Sequence, residues 1–537
     1  MSCDRRAEVV LIGLDGATFA VLDPMMRDGV MPFLRDWSAG GVRAVLGSTA
    51  HPLTPIAWTT LMTGRHPGNH GVFDFVRVTT EGSQPSYVLG TSADVRVETL
   101  WAIASRHGRR VSCLNFPCMF PPPALNGFVV PGFVPWRYLS RAVHPRDLYP
   151  RLKRLPGFDA KGLALDWDIE RKALQGLPES EFEDWIRFHT DREAQWFSIA
   201  QFLMREEPCD LTAILFDGVD KLQHLCYHLL DPTLASRYTS QWAQRVRGLC
   251  LDYFRQLDRF LEAIVAAAGP GARVFMASDH GFRAAGEQIF YANVWLEQQG
   301  HFGWRDGTTI DHEGRLSLDG HAGPEAFIDW SRTVAFALTA SSNAIWIRRG
   351  RNGHDGVSDE EYPRLRQQLI DGLKMLTDPA TGERIVERVM TREEAFPGAA
   401  VDAAPDLTLV LRDYSFLSVL RADAVLRNRR LPYGTHHPDG IFMATGPGIR
   451  QQAELAPFSI VDITPTLLYA LDLPLPSDLD GGVTTAAFEA SWAEAHPVRH
   501  EQGVAAALPT EPGAASVLGT EGEQEVLRRL KALGYLD

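Results

Sequence analysis

No stretch of the 537-residue chain approaches the roughly eighteen uninterrupted apolar residues that a membrane-spanning helix needs. The start, where Arg5, Arg6 and Glu8 stand directly before the short run VVLIGL, lacks the length and the small-residue cleavage text of a secretory signal. Cysteine is scarce: Cys3, Cys113, Cys118, Cys209, Cys226 and Cys250 are scattered with no C-x-x-C pair, so neither a zinc ribbon nor a disulfide framework is written here. Positive charge is also in deficit. Lys+Arg of 53 against Asp+Glu of 67 gives a formal net charge of −14, which repels a polyphosphate backbone and sets nucleic acid aside as a partner. Neither G-x-x-x-x-G-K-[ST] nor G-x-G-x-x-G follows any of the apolar runs, which excludes P-loop and Rossmann sites. These absences predict a soluble, cytoplasmic protein with reduced thiols and no membrane span.

What is present is ordinary globular material, 45% hydrophobic and 22% charged, which rules out global disorder. The length allows two to four domains, or one large core with insertions. Short apolar runs recur: VVLIGLDG (9–16), LTAILFDG (211–218), RVFMASDHG (273–281), LTLVL (407–411) and GIFMATGPG (440–448). Runs of this kind read as strands buried on both faces, the habit of parallel sheets covered by helices. Helical patterns lie between them at 180–207 and 240–268. The fold class is therefore α/β, a mostly parallel sheet flanked by helices, with ligands expected at the carboxyl ends of the strands. The alternation divides the chain into a catalytic core (1–135, 208–299 and 401–490), a helical insertion (136–207), a second insertion (300–400) and a tail (491–537). Both insertions are expected to form lids that line the substrate pocket; for Trp136, Trp167, Trp185 and Trp304 within them, packing the insertions' own cores is the favoured reading and gripping the organic part of a ligand the alternative. The tail reads as a polar linker over about 495–520 and a short amphipathic helix at its end.

Chemistry concentrates at the strand ends. Asp15 closes the first run, Asp220 and His224 follow the second, and Asp279 and His280 close the third. Asp220 and His224 are four apart, so on a helix both side chains share one face. A fourth segment, GTHHPDG (434–440), places His436 in a loop before another core strand, with His437 as its rival. A single Asp at a strand end is more often a helix cap than a ligand, but coincidence among four segments points to a metal site. Mixed Asp/His donors suit Zn²⁺ or Mn²⁺ better than Ca²⁺ or Mg²⁺. His66 and His70 are expected in turn and supporting positions, and His228 packed on a helix.

The texts GLDGATFAVLDPM (13–25), PLTPIAWTTLMTGRHPGNHGVFDF (52–75), FDGVDKLQH (216–224), SDHGF (278–282) and GTHHPDGIFMATGPGI (434–449) resemble the type I phosphodiesterase/nucleotide pyrophosphatase family of the alkaline phosphatase superfamily. Matching text continues at NVWLEQQG (293–300) and through 460–481, so the resemblance spans nearly the whole core. It implies an alkaline-phosphatase-like fold and a hydrolase of small phosphoesters. By motif, it assigns Asp220, His224 and His436 to one divalent cation and Asp15, Asp279, His280 and the Thr54 hydroxyl to a second. Zinc is the expected metal and manganese the alternative. Thr54 takes the nucleophile position and would form a phospho-threonine intermediate, whereas Thr59, Thr60 and Thr63 are structural. Lys221, beside Asp220, is a candidate for binding a substrate oxygen.

One departure is visible. The nucleotide pyrophosphatases carry an asparagine about twenty residues after the nucleophile, but the equivalent stretch here is GVFDF, with Asp74 and Phe75. Nucleotide substrates do not follow from the resemblance alone. A sulfatase is excluded because no cysteine stands in C-x-P-x-R text. A phosphomonoesterase or phosphomutase on the same fold is the alternative, and a non-catalytic binding scaffold is disfavoured by the presence of all seven ligand-type residues.

Overall fold

The computed structural model describes residues 7–79, 85–163, 179–310, 327–350, 356–429 and 433–504. Trp167, the C-terminal helix, most of the linker and two stretches of the 300–400 region lie outside the described residues.

A nine-stranded sheet organises the core. In chain order its strands are β1 (Val9–Leu14), β2 (Val42–Gly47), β3 (Val111–Leu114), β4 (Gly127–Val130), β5 (Leu211–Phe216), β6 (Arg273–Ala277), β7 (Asp439–Thr445), β8 (Ala453–Glu454) and β9 (Phe458–Ser459). In space the order is β8-β2-β7-β6-β1-β5-β3-β4, with β9 also pairing with β2. The β6-β1-β5-β3-β4 run is parallel throughout, and β7 enters antiparallel between β2 and β6.

Alternation along the strands explains why their sequences look continuously apolar. In β1, Val10, Ile12 and Leu14 face one core, while Val9 and Leu11 face another. The first face is covered by α2 (Phe182–Glu206), α3 (Gly218–Leu230) and α4 (Gln241–Ala268), the second by α1 (Thr54–Thr63) and α5 (Ile463–Ala470). With both faces sealed, no polar position survives to reveal the period.

Two expectations change on this background. α2 lies within the 136–207 span set aside as an insertion, yet it is one of the helices expected to flank the sheet: its Trp196, Ile199 and Leu203 pack in the same core as Ile12 and Phe216. Its amphipathic stripe needed an apolar partner, and the sheet supplies it. The run at Leu407–Leu411, expected in the main sheet, belongs instead to a separate four-stranded sheet, antiparallel to Ala344–Ile347 and Val386–Thr391. That second lobe has its own core, in which Leu407, Leu409 and Leu411 meet Trp295, Trp304 and Phe336, so its strand reads as apolar for the same reason. Trp185 and Trp304 are buried within these cores, and Trp136 is exposed. Leu53, Ile56 and Phe75 also belong to the second lobe's core, which ties that lobe to the start of α1.

Candidate metal centre

Three adjacent parallel strands deliver the acidic residues to one edge. Leu14 pairs with Phe216 and Gly13 with Ala277, so the residues that follow emerge side by side. Asp15 comes directly after β1, and Asp279 and His280 come just after β6. Asp220 lies in the first turn of α3, with His224 one turn later. His436, expected in a loop, lies in a short strand, Gly434–His437, paired antiparallel with Gly281–Ala284 so that it stands opposite Phe282. This two-stranded ribbon brings His436 to His280, and their rings stack with centroids 3.7 Å apart.

Two glycines make room for the arrangement. A Cβ on Gly13 would lie 2.7 Å from the Trp58 ring, so its absence lets the indole cross β1 and donate to Asp15 Oδ2 at 3.1 Å. Gly16 turns the chain at φ +65°, where a side chain would be strained, and its N–H donates to Asp279 Oδ1 at 3.1 Å.

The predicted ligand atoms converge in two groups. In the first, His224 Nε2 lies 3.0 Å from His436 Nε2, and Asp220 Oδ1 lies 3.3 and 3.2 Å from those nitrogens. In the second, His280 Nε2 is 3.3 Å from Asp279 Oδ2, 3.6 Å from Asp15 Oδ1 and 3.5 Å from Thr54 Oγ1. A tetrahedral zinc ion with ligands at about 2.0–2.2 Å holds neighbouring donor atoms about 3.3–3.6 Å apart. The spacings approach that figure in both groups.

Each carboxylate shows the same division of labour. One oxygen is held by a donor: Asp15 Oδ2 by Trp58, Asp279 Oδ1 by the Gly16 N–H, and Asp220 Oδ2 by Lys221 Nζ at 3.3 Å. The other oxygens, Asp15 Oδ1, Asp279 Oδ2 and Asp220 Oδ1, are buried without a hydrogen bond. Three bare carboxylate oxygens facing histidine nitrogens would be costly unless a cation met them. The histidines are prepared in a matching way. His436 Nδ1 lies 2.7 Å from the Pro52 carbonyl and His280 Nδ1 3.0 Å from that of Gly281, so each Nδ1–H donates and each Nε2 keeps its lone pair.

Electrostatics separates the groups. Burial, then Asp279 and Asp220 nearby, raises Asp15 well above the ordinary carboxylate range, and burial does the same to Asp279. Burial also acts on Asp220, but His224 and Lys221 outweigh it and hold that carboxyl well below its usual value. Burial lowers His280 and His436, which keeps both imidazoles neutral.

The remaining candidates fall into place around the centre. Lys221 is buried against Asp220. Thr59, Thr60 and Thr63 donate to the carbonyls of Pro55, Ile56 and Thr59, the back-bonding that makes them structural. His70 is buried, accepts the Val72 N–H on Nδ1 and bonds Thr60 through Nε2, whereas His66 is exposed. His228 packs on Tyr238. His437 turns to Tyr414 and accepts the Asp439 N–H, away from both groups. Sequence reasoning missed Trp58, although its spacing of four from Thr54 places both on one helix face. It also missed Ser48, whose hydroxyl donates to the Asp279 carbonyl at 2.6 Å and carries no distinguishing text.

Residues 9–439 match the model of the type I phosphodiesterase/nucleotide pyrophosphatase family. This chain belongs to that family. As a member it is a hydrolase acting on phosphoester bonds, and it carries side-chain groups able to hold metal ions, Asp220/His280/His436 and Asp15/Asp279/His280. No curated protein matches the family member at a significant level. Solved structures share its fold at low identity. Human ectonucleotide pyrophosphatase/phosphodiesterase 5 is 13% identical with a TM-score of 0.51, covering 89% of this chain and 98% of its own. The murine protein of that name, as an inactive threonine-to-alanine variant in complex with AMP, is 14% identical with a TM-score of 0.51 over 90% of this chain and 98% of its own. Phosphonoacetate hydrolase from Sinorhizobium meliloti 1021, in complex with phosphonoformate, is 15% identical with a TM-score of 0.50 over 87% and 95%. Among the described residues no helix of this family member is long and apolar enough to cross a membrane.

Proposed function

We propose that this chain hydrolyses phosphodiesters at a centre of two divalent cations, with Thr54 as the nucleophile. The observation that carries the reading is the set of three buried, unbonded carboxylate oxygens facing three imidazole Nε2 atoms, with the Thr54 hydroxyl 3.5 Å from one of them. Asp220, His224 and His436 would hold one cation, and Asp15, Asp279, His280 and Thr54 the other. The donor set favours Zn²⁺, with Mn²⁺ as the alternative. Such ions would lower the proton affinity of the Thr54 hydroxyl and offset charge on the transferring phosphoryl group.

The residues do the rest. Thr54 Oγ attacks phosphorus, the alcohol leaves, and water then cleaves the phospho-threonine ester to regenerate the hydroxyl. Trp58 and the Gly16 N–H fix the two carboxylates beside the nucleophile, and Leu53, Ile56 and Trp58 keep its surroundings apolar. A threonine-to-alanine variant of the murine structural neighbour is inactive, which is in keeping with a threonine at the reacting centre.

A diester is preferred to a monoester because no basic residue follows Thr54 before Arg65, beyond the far end of α1, and both Arg65 and Lys221 are engaged elsewhere. Arg65 reaches Asp478 at 2.7 Å, and Lys221 sits on Asp220. A monoester dianion brings one more negative charge, which neither of these two engaged cations is set to receive. The test compares kcat/KM for bis-p-nitrophenyl phosphate and p-nitrophenyl phosphate on one metal-loaded preparation. A ratio favouring the monoester would move phosphomonoesterase or phosphomutase chemistry to the front.

A further inference from the structure

Asp74, the residue that departs from the nucleotide pyrophosphatase text, is buried and fully bonded. Its Oδ2 accepts the Thr339 hydroxyl at 2.6 Å, and its Oδ1 accepts the Ser341 hydroxyl at 3.0 Å and the Phe75 N–H at 2.6 Å. Thr339 and Ser341 are themselves buried, in the turn of the second lobe that joins strands Ala335–Phe336 and Ala344–Ile347. The partners are 265 and 267 residues away in sequence, so these contacts clasp two separate regions of the fold.

The clasped turn touches the centre from two directions. The Ser341 carbonyl accepts from His51 Nε2 at 2.5 Å, and His51 immediately precedes Pro52, whose carbonyl orients His436. At the end of the turn, Asn343 sits at φ 46° and bonds both sides of Phe416: its Nδ2 donates to the Ser415 carbonyl at 3.0 Å, and its Oδ1 accepts the Leu417 N–H at 2.9 Å. Phe416 is half-buried and stands edge-on to His436, ring centroids 5.1 Å apart, and edge-on to His51 at 6.3 Å. A half-covered aromatic ring beside a proposed metal ligand is suited to pack against an organic group of a bound ester.

We propose that the Asp74–Thr339–Ser341 clasp is a positioning device for substrate specificity: it fixes the 339–343 turn, and through Asn343 the Phe416 ring, as the wall that receives an organic substituent of the phosphodiester. The inference rests on the phosphodiesterase reading. Asp74 acts through the turn, and it is engaged in holding the second lobe in place of a substrate oxygen. Three donors converge on its two oxygens, an arrangement that suits an ionised carboxylate.

The test uses Thr339→Val, which keeps the volume and removes one donor, the double variant Thr339→Val/Ser341→Ala, and Phe416→Ala, each as the full metal-loaded chain. Two esters report the wall: bis-p-nitrophenyl phosphate, with two aromatic groups, and methyl p-nitrophenyl phosphate, with one. The clasp variants are expected to raise KM for the bis-aryl ester about fivefold or more, with kcat within twofold and the methyl ester little changed. Hydrogen exchange at the Leu409 and Leu417 amides, both bonded to Asn343, should accelerate about tenfold while β1 is unaffected. Phe416→Ala should reproduce the substrate split without loosening the Leu409 amide. Unchanged exchange in the clasp variants, or an equal loss for both esters, would overturn the proposal. Failure of the wild-type chain to hydrolyse either ester would remove the phosphodiesterase reading, and the exchange arm would still decide whether the clasp holds Phe416.

Discussion

The two proposed ligand groups use the same donor types under different conditions. Around Asp220, His224 and His436 the site opens to solvent, with the His224 side chain 22% exposed, and the Lys221 ammonium offsets the carboxylate's charge. Around Asp15, Asp279 and His280 the side chains are 2%, 0% and 0% exposed, and two carboxylates stand together. Asp220 is held ionised by its neighbours, whereas burial drives Asp15 and Asp279 toward the protonated form. One group is electrostatically prepared before any cation arrives, and the other is satisfied only with one in place. The open group is therefore suited to exchange with solvent, and the sealed group to retention.

The largest expected effect separates chemistry from binding inside the sealed group. Thr54→Ala should lose turnover on the order of 10⁶-fold, the scale seen when a nucleophile is removed, while keeping its fold and both metal ions. Asp279→Ala should lose turnover to a similar degree and lose the sealed group's metal too, because a charged ligand is gone. Circular dichroism, metal content and rate on both variants check this, and substantial activity in Thr54→Ala would mean that water attacks directly. A second effect distinguishes the groups kinetically. Dialysis against a chelator should empty them in two phases, the open group first, and His224→Ala should abolish the fast phase and leave one ion per chain. A single phase, or loss of both ions together, would break the comparison.

A smaller effect probes the support beneath the sealed group. Trp58→Phe keeps the packing over Gly13 but leaves Asp15 Oδ2 without its donor, so metal affinity there should fall about 10–100-fold. The open group should be unaffected, which competition titration with a chromogenic chelator would read. The smallest effect belongs outside both groups. Burial lowers His70 from about 6.5 to about 3. Between those values the unfolded chain binds a proton that the folded chain refuses, so this residue's contribution to stability is full above about 6.5 and is lost as pH falls toward 3. His70→Gln should flatten the decline of Tm over that window.

The sheet and the convergence of the acidic and imidazole side chains were legible because the signal is local: an apolar run sealed on both faces, cut short by a carboxylate or imidazole. Asp15, Asp220 and Asp279 come together because β1, β5 and β6 are parallel neighbours, and the runs themselves announce that topology. The same signal misled at Leu407–Leu411, since a strand in a second, independently buried sheet has the same text as one in the first. Setting α2 aside with the 136–207 insertion failed for a related reason, although its pattern also reads as a flank of the sheet. An amphipathic stripe shows that a helix covers something, but not which surface it covers. Trp58 was readable from its spacing, whereas Asp74 was not. Its role depends on hydroxyls more than 260 residues away, and neither Thr339 nor Ser341 carries any text that announces a partner.

The spread of the seven ligand-type residues along the chain has a consequence for assembly. The open group needs residues 220, 224 and 436, and the sealed group needs 15, 54, 279 and 280. At a synthesis rate of about 5–20 residues per second, the sealed group's last donor is incorporated about 14–56 s after initiation, and the open group's about 22–87 s after it. His436 is delivered by a strand that pairs with Gly281–Ala284, so the ribbon cannot close until the chain's last third has been made. The sealed group waits as well, because β7 beside β6 and α5, which shares a core with α1, both come from the last hundred residues. Both proposed groups therefore take their final geometry only when synthesis is nearly complete.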